Sequence, residues 1–266
     1  MMSDETSIFF TLITGASSGI GKALANELAR KGQNLFLVAL PGNGLDNFAK
    51  ELIKNFGVKV EYLTVDLTAP ETPQLIYGHA IKRGLKIKIL INNAGNGHVG
   101  KFEEMSQTKI EEMIHLNIRA LTMLSLLFVK DMKTVEGAHI LNVGSFGAYT
   151  PVAYKSVYLA TKSYVYYFTR SLMQEYHTTK INFSVLMPGA VVTNGEVEER
   201  IKNAGFLGKF SSLTPEYVAK FTVKAMIKGR FSILPGYVNR AIFRISACLP
   251  SGILLYITRH IFNKTC

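Results

Sequence analysis

At 266 residues, 48% of them hydrophobic and only 18% charged, the chain reads as globular and is long enough to bury a full core. Its two cysteines, Cys248 and Cys266, exclude a disulfide framework and point to a reducing compartment. The net charge of +11 is uneven: residues 201–266 carry ten Lys and Arg against one acid, Glu216, interleaved with long apolar side chains, which suits an anionic membrane or a phosphate-bearing ligand better than nucleic acid.

The start, MMSDETSIFFTLITG, is acidic and runs at once into an apolar strand over 8–14, the wrong order for a secretory signal, so a cytoplasmic protein is expected. Directly after that strand comes TGASSGIG, with Gly15, Gly19 and Gly21 spaced by Ser17, Ser18 and Ile20, and a helix predicted from Gly21 to 32. Strand, glycine-rich turn and helix N-terminus together suit a pyrophosphate, because free backbone N–H groups and the helix dipole favour an anion. The spacing G-x-x-x-G-x-G differs from the usual G-x-G-x-x-G. The second strand, 34–40, ends Ala39-Leu40-Pro41. An acid there would bind a ribose 2′-hydroxyl; its absence leaves room for a 2′-phosphate and favours NADP(H) over NAD(H).

A helix over 45–57, a strand over 58–65 leading to Asp66-Leu67, and a strand over 87–92 leading to Asn93-Ala94-Gly95 follow. Ser106 caps a long helix to 132, a strand over 139–143 leads to Gly144-Ser145, and a helix over 152–178 precedes a strand over 181–187 and Pro188-Gly189. Thr214-Pro215 opens a further helix before a last strand at 231–234. Short apolar strands alternating with helices mean a parallel sheet covered on both faces. With no repeat or linker, the chain reads as one α/β domain over 1–266, a doubly wound Rossmann-type sheet of about seven strands.

The helix after Ser145 carries Tyr-x-x-x-Lys twice, as Tyr158 with Lys162 and Tyr176 with Lys180. Residues four apart share a helix face, but twelve Tyr in a lysine-rich chain give about one such pair by chance. Position separates the two. The helix start lies at the carboxyl edge of the sheet, where ligands bind, and Tyr176 is roughly 27 Å further along at about 1.5 Å per residue. Six His without metal spacing and two distant Cys predict no metal site, and Ser145 lacks the G-x-S-x-G elbow of a hydrolase.

Taken in order, TGASSGIG (14–21), Asp66-Leu67, NNAG (92–95), Asn117, Gly144-Ser145, Tyr158-x-x-x-Lys162, Pro188-Gly189 and Thr193 resemble the classical short-chain dehydrogenase/reductase family, and within it the lipid, 3-oxoacyl and hydroxysteroid reductases. The resemblance implies Tyr158 as general acid/base, Lys162 as its activator and ribose ligand, Ser145 on the substrate oxygen and Asn117 in a proton relay. It places Asp66 and Leu67 near the adenine, has Asn92 border the cofactor cleft, and gives Thr193 the nicotinamide amide. Lys162 and the oxidised nicotinamide are expected to lower the phenol from its ordinary value near 10. Ala39 and Leu40 depart from the family, whose members show an acid or an Arg there.

The implied activity is ketone–alcohol interconversion on a hydrophobic fatty-acyl, sphingoid or sterol-like substrate. A dinucleotide-binding scaffold or sensor without turnover is the alternative. A substrate loop over 190–213 brings Phe206, Leu207 and Phe210, and an apolar, basic C-terminal extension covers 238–266. Pro250 and two Arg interrupt the apolar run over 241–262, so two short helices are expected, lying on an anionic membrane at its cytoplasmic face or covering the pocket. A homodimer or homotetramer is implied by the family alone.

Overall fold

The computed structural model describes residues 8–149, 152–192, 212–248, 252–253 and 255–256. Seven parallel strands form one sheet in the order β3-β2-β1-β4-β5-β6-β7. They are β1 (Phe9–Thr14), β2 (Asn34–Ala39), β3 (Val60–Thr64), β4 (Lys86–Asn92), β5 (His139–Val143), β6 (Asn182–Leu186) and β7 (Ser232–Ile233). The described residues include helices α1 (Gly19–Arg30), α2 (Leu45–Phe56), α3 (Thr72–Lys82), α4 (Gln107–Ile114), α5 (Leu121–Met132), α6 (Ser156–Glu175), α7 (Pro215–Ile227) and α8 (Tyr237–Cys248).

Why the strands read as continuous apolar runs is visible in β1 and β2. Ile13, Leu35 and Leu37 point to one face, where they meet Leu24 and Leu28 of α1, Leu52 of α2 and Val223 of α7. Phe10, Leu12, Phe36 and Val38 point to the other, against Ile76 of α3 and Leu124 and Phe128 of α5. Period-2 alternation with both faces covered leaves no polar side for a strand to show. The order reverses at β1, which pairs with both β2 and β4, so the crevice beyond the strands' carboxyl ends opens beside β1 and β4.

Several predicted boundaries move. Helix α1 begins at Gly19 rather than Gly21, and α6 occupies Ser156–Glu175 rather than 152–178. The long helix predicted from Ser106 to 132 is capped as expected, its Oγ accepting from the Lys109 N–H at 3.3 Å, but a π-helical segment, His115–Ala120, separates α4 from α5. The whole run Gln107–Met132 is long and apolar enough by composition to cross a membrane. Its Leu124, Phe128 and Met132 are instead buried against the sheet. Thr214 caps α7 by accepting from the Tyr217 N–H, with Pro215 in the first turn.

Candidate active site

The glycine-rich loop between β1 and α1 is shaped by contacts that leave no room for side chains. Gly15 and Gly19 adopt φ of 64° and 51°, the left-handed region that favours glycine. A Cβ on Gly21 would lie 2.2 Å from the Gly15 carbonyl oxygen, so α1 can approach its own entry loop only with glycine here. Ser18, the N-cap, makes no side-chain capping bond. The far side of the loop is held by β4. Asn93 donates from Nδ2 to the Thr14 and Gly15 carbonyls at 2.9 and 3.2 Å, while the Asn93 and Ala94 N–H groups both donate to Thr14 Oγ1 at 3.0 Å.

Asn92 does not border this cleft. Its side chain turns inward, where Nδ2 donates to Ser125 Oγ at 3.1 Å and to Asn142 Oδ1 at 2.8 Å, and Asn142 passes the chain on to Thr169 Oγ1 at 2.9 Å. This buried polar ladder ties β4 and β5 to α5 and α6, and period-2 alternation is the reason that Asn93 rather than Asn92 faces the loop. Asp66 is exposed beyond β3, its Oδ1 accepting from the Thr68 N–H and hydroxyl, and Leu67 beside it is buried.

Ser145, Tyr158, Lys162 and Asn117 come together at the same carboxyl edge. Ser145 follows β5, on a segment pinned to β6 and its exit by Gly144 N–H to Leu186 O at 2.8 Å and Phe146 N–H to Pro188 O at 2.9 Å. The Ser145 hydroxyl lies near enough to the Tyr158 phenol to favour its ionised form. Lys162, one turn on and 5% exposed, donates from Nζ to the Val143 carbonyl at 2.9 Å and lies 5.9 Å from the Tyr158 ring centroid. Asn117, in the π-helical segment, grips Asn96: its Oδ1 accepts from the Asn96 N–H at 3.0 Å and its Nδ2 donates to the Asn96 carbonyl at 2.9 Å. The same Nδ2 donates to Thr161 Oγ1 at 3.0 Å. Between Asn117 and Lys162 lies Gly95, where a Cβ would be 3.0 Å from Asn117 Oδ1 and 3.2 Å from Lys162 Nζ.

Burial dominates the electrostatics. It pulls the Lys162 amine down to about 8, because burial strips the ammonium of its hydration. It also pushes the Tyr158 phenol above 10, with the nearby Ser145 hydroxyl acting the other way. The expectation of a phenol lowered by Lys162 therefore does not follow from the protein's own groups, since that amine is directed at a backbone carbonyl. The second pair is structural. The Tyr176 ring packs tilted against Phe183, centroids 5.7 Å apart, and Lys180 is ion-paired with Glu136 at 3.1 Å.

A family model described as short chain dehydrogenase matches residues 10–229. The chain belongs to the short-chain dehydrogenase family. Among curated short-chain dehydrogenases it is 34% identical to human 17-beta-hydroxysteroid dehydrogenase type 3, over 69% of this chain and 59% of that protein. It is 32% identical to very-long-chain 3-oxoacyl-CoA reductase-A of Danio rerio, over 69% and 58% respectively. The match thus spans about three fifths of the length of these relatives. A solved short-chain dehydrogenase from Sphingobium yanoikuyae in complex with NADPH superposes with a TM-score of 0.76 at 29% identity, covering 91% of this chain and 96% of that one.

Several residues around this short-chain dehydrogenase site carried no sequence signal. Phe243 of α8 packs on Tyr149 and Phe146, ring centroids at 4.8 and 6.3 Å, on the turn that follows Ser145. A Cβ on Gly189 would meet Asn239 of α8 at 2.6 Å, so the C-terminal helix docks on the Pro188-Gly189 corner. Both contacts link positions far apart in the chain. Thr193, the rest of the substrate loop to 211 with Phe206, Leu207 and Phe210, and most of the extension beyond α8 lie outside the described residues.

Proposed function

We propose that this chain is an NADP(H)-dependent oxidoreductase that interconverts a ketone and a secondary alcohol on a hydrophobic substrate, with Tyr158 as general acid/base. The observation that carries the reading is the convergence of Ser145, Tyr158, Lys162 and Asn117 beside the glycine-rich loop, at the switch point of the sheet. The loop fits a dinucleotide: Gly15 and Gly21 approach so closely that a Cβ would fill the cradle, and the uncapped α1 N-terminus offers its amides to a pyrophosphate. Gly15, Ser17, Ser18, Gly19, Ile20 and Gly21 would hold the phosphates, and Asp66 with Leu67 the adenine. Asn93, Ala94, Gly95, Tyr158, Lys162, Pro188, Gly189 and Thr193 would hold the nicotinamide half. When bound, the cofactor supplies or accepts the hydride.

The protein's part is proton transfer and charge stabilisation. Ser145 donates a hydrogen bond to the substrate oxygen, and that bond strengthens as negative charge develops there. Tyr158 gives that oxygen its proton. A phenol raised above 10 by burial is protonated at neutral pH, which suits the reductive direction. Lys162, at about 8, is still mostly charged at neutral pH and stabilises the phenolate left behind. Asn117 fixes Asn96 and Thr161 beside Lys162 and would stand on the route by which a proton returns to the Tyr158 phenolate.

Ala39 closes β2 with no acid for a ribose 2′-hydroxyl, which together with the NADPH complex of the Sphingobium relative supports NADP(H). The names of the hydroxysteroid and 3-oxoacyl-CoA relatives, and the wall of Phe146, Tyr149 and Phe243 beside Ser145, support an apolar substrate. Helix α8 turns Tyr237, Val238, Ile242 and Ile245 outward beside Arg244, which supports peripheral contact with an anionic membrane.

The test follows reduced-nicotinamide absorbance with aliphatic, 3-oxoacyl and steroid ketones, using NADPH and NADH in turn. Turnover of apolar ketones with higher kcat/KM for NADPH is expected. Dinucleotide binding without turnover of any ketone would leave a scaffold or sensor. Flotation with anionic liposomes that weakens as salt rises tests the membrane surface, and a protein that stays in solution at low salt removes it.

A further inference from the structure

Tyr158 is braced by a segment that starts at the last residue of the NNAG motif and otherwise falls in none of the recognised motifs. Residues 95–100 run past the phenol ring, and Gly97 meets it without a side chain. A Cβ on Gly97 would sit 3.1 Å from Cδ2 and 3.2 Å from Cε2 of Tyr158. The segment is anchored at both ends. Asn117 holds Asn96 through its N–H and its carbonyl, and the Gly100 N–H donates to the Tyr154 carbonyl at 2.9 Å. Tyr154, just before α6, is the one non-glycine residue with positive φ among the described residues, at 66°. Such a conformation persists only where its surroundings over-determine it. Here they include the hydrogen bond that draws the 95–100 segment onto the first turn of α6.

We propose that Gly97 is a positioning residue for Tyr158: the missing side chain lets this tethered segment lie against the phenol ring and fix where its hydroxyl points. The backbone at 97 is not left-handed, so alanine is allowed there by conformation and acts only through the space it takes. The ring has to yield by a few tenths of an ångström. Its hydroxyl moves with it and changes its place relative to the Ser145 hydroxyl nearby. The inference rests on the proposed acid/base role of Tyr158 for its kinetic consequence, but not for its structural one.

The experiment therefore reads both. Full-length protein labelled with ¹³Cζ-tyrosine is compared as wild type, Gly97→Ala and Gly97→Val, with Tyr158→Phe assigning the resonance and Gly78→Ala, where a Cβ meets nothing within 4 Å, as control. Gly97→Ala is expected to move the Tyr158 resonance and shift its titration midpoint while the unfolding midpoint and the dinucleotide Kd stay within error. In turnover it is expected to lower kcat about tenfold with little change in KM, and Gly97→Val to lower it further. A Tyr158 resonance and midpoint unmoved in both variants overturn the proposal whatever turnover does. A shifted resonance in a protein that reduces no ketone upholds the brace and instead removes the catalytic role of Tyr158.

Discussion

Lys162 shows how the site's chemistry and its stability are set by the same atom. Its amine is buried, titrates at about 8 and makes its described hydrogen bond to the Val143 carbonyl. The unfolded chain keeps the ordinary value near 10.5. Between those values the unfolded state binds more protons, so this residue's burial penalty is present below pH 8 and is relieved as pH rises. Wild-type stability should therefore gain on Lys162→Met between pH 8 and 10, by up to about 2–3 kcal/mol; the window stops at 10, where Tyr158 begins to titrate. Denaturant midpoints of the two proteins over that range check it, and parallel curves would mean the amine is not buried. Of the two Tyr-x-x-x-Lys pairs, the sequence could separate the active-edge pair from its twin only by distance along a helix. What engages the twin, Phe183 for the ring and Glu136 for the amine, lies on other elements and left no mark in the spacing.

At the scale of elements, the ladder Ser125–Asn92–Asn142–Thr169 locks β4 and β5 to α5 and α6 beneath the site. Asn142→Ala leaves the Asn92 amide and the Thr169 hydroxyl short of a partner in a fully buried place, and should cost roughly 1–3 kcal/mol in urea unfolding. A change below about 0.5 kcal/mol would mean the ladder is not needed to hold the strands. The strands themselves were legible to within about two residues, because a sheet covered on both faces writes continuous apolar runs. The helix ends at Ser106 and Thr214 were legible from their caps. The π-helical segment carrying Asn117 was not, since the sequence there keeps its helical periodicity and only the backbone register changes. Nor was Gly97, whose lack of a side chain has meaning only once the Tyr158 ring is beside it.

For the molecule as a whole, the acid limit should be set in part by His139, buried at the start of β5. Its Nε2 lies 2.7 Å from Ser184 Oγ, and that hydroxyl donates its own proton to the Arg230 carbonyl, so Nε2 is the donor to Ser184. Burial holds it down to about 4 against 6.5 in the unfolded chain. The unfolded state alone binds a proton between those values, so this contribution is intact above pH 6.5 and is lost as pH falls through 4, up to about 3 kcal/mol. His139→Gln should flatten the acid limb of the stability curve, and an unchanged slope would place the acid limit elsewhere. The family was legible from motif order, because most of the motifs stand where a strand leaves the sheet, with Asn117 and Tyr158-x-x-x-Lys162 on helical segments between strands. The contact of α8 with the turn after Ser145 was not, because it joins residues about a hundred positions apart. The central claim is that the Tyr158 phenol supplies the proton to a substrate carbonyl. Its most direct test is turnover of an apolar ketone by wild type, Tyr158→Phe and Tyr176→Phe, with NADPH affinity measured on each. The account predicts that Tyr158→Phe loses at least about a hundredfold in kcat while its NADPH Kd stays within about threefold, and that Tyr176→Phe resembles wild type. Tyr158→Phe retaining wild-type kcat, or both variants losing activity equally, would contradict it.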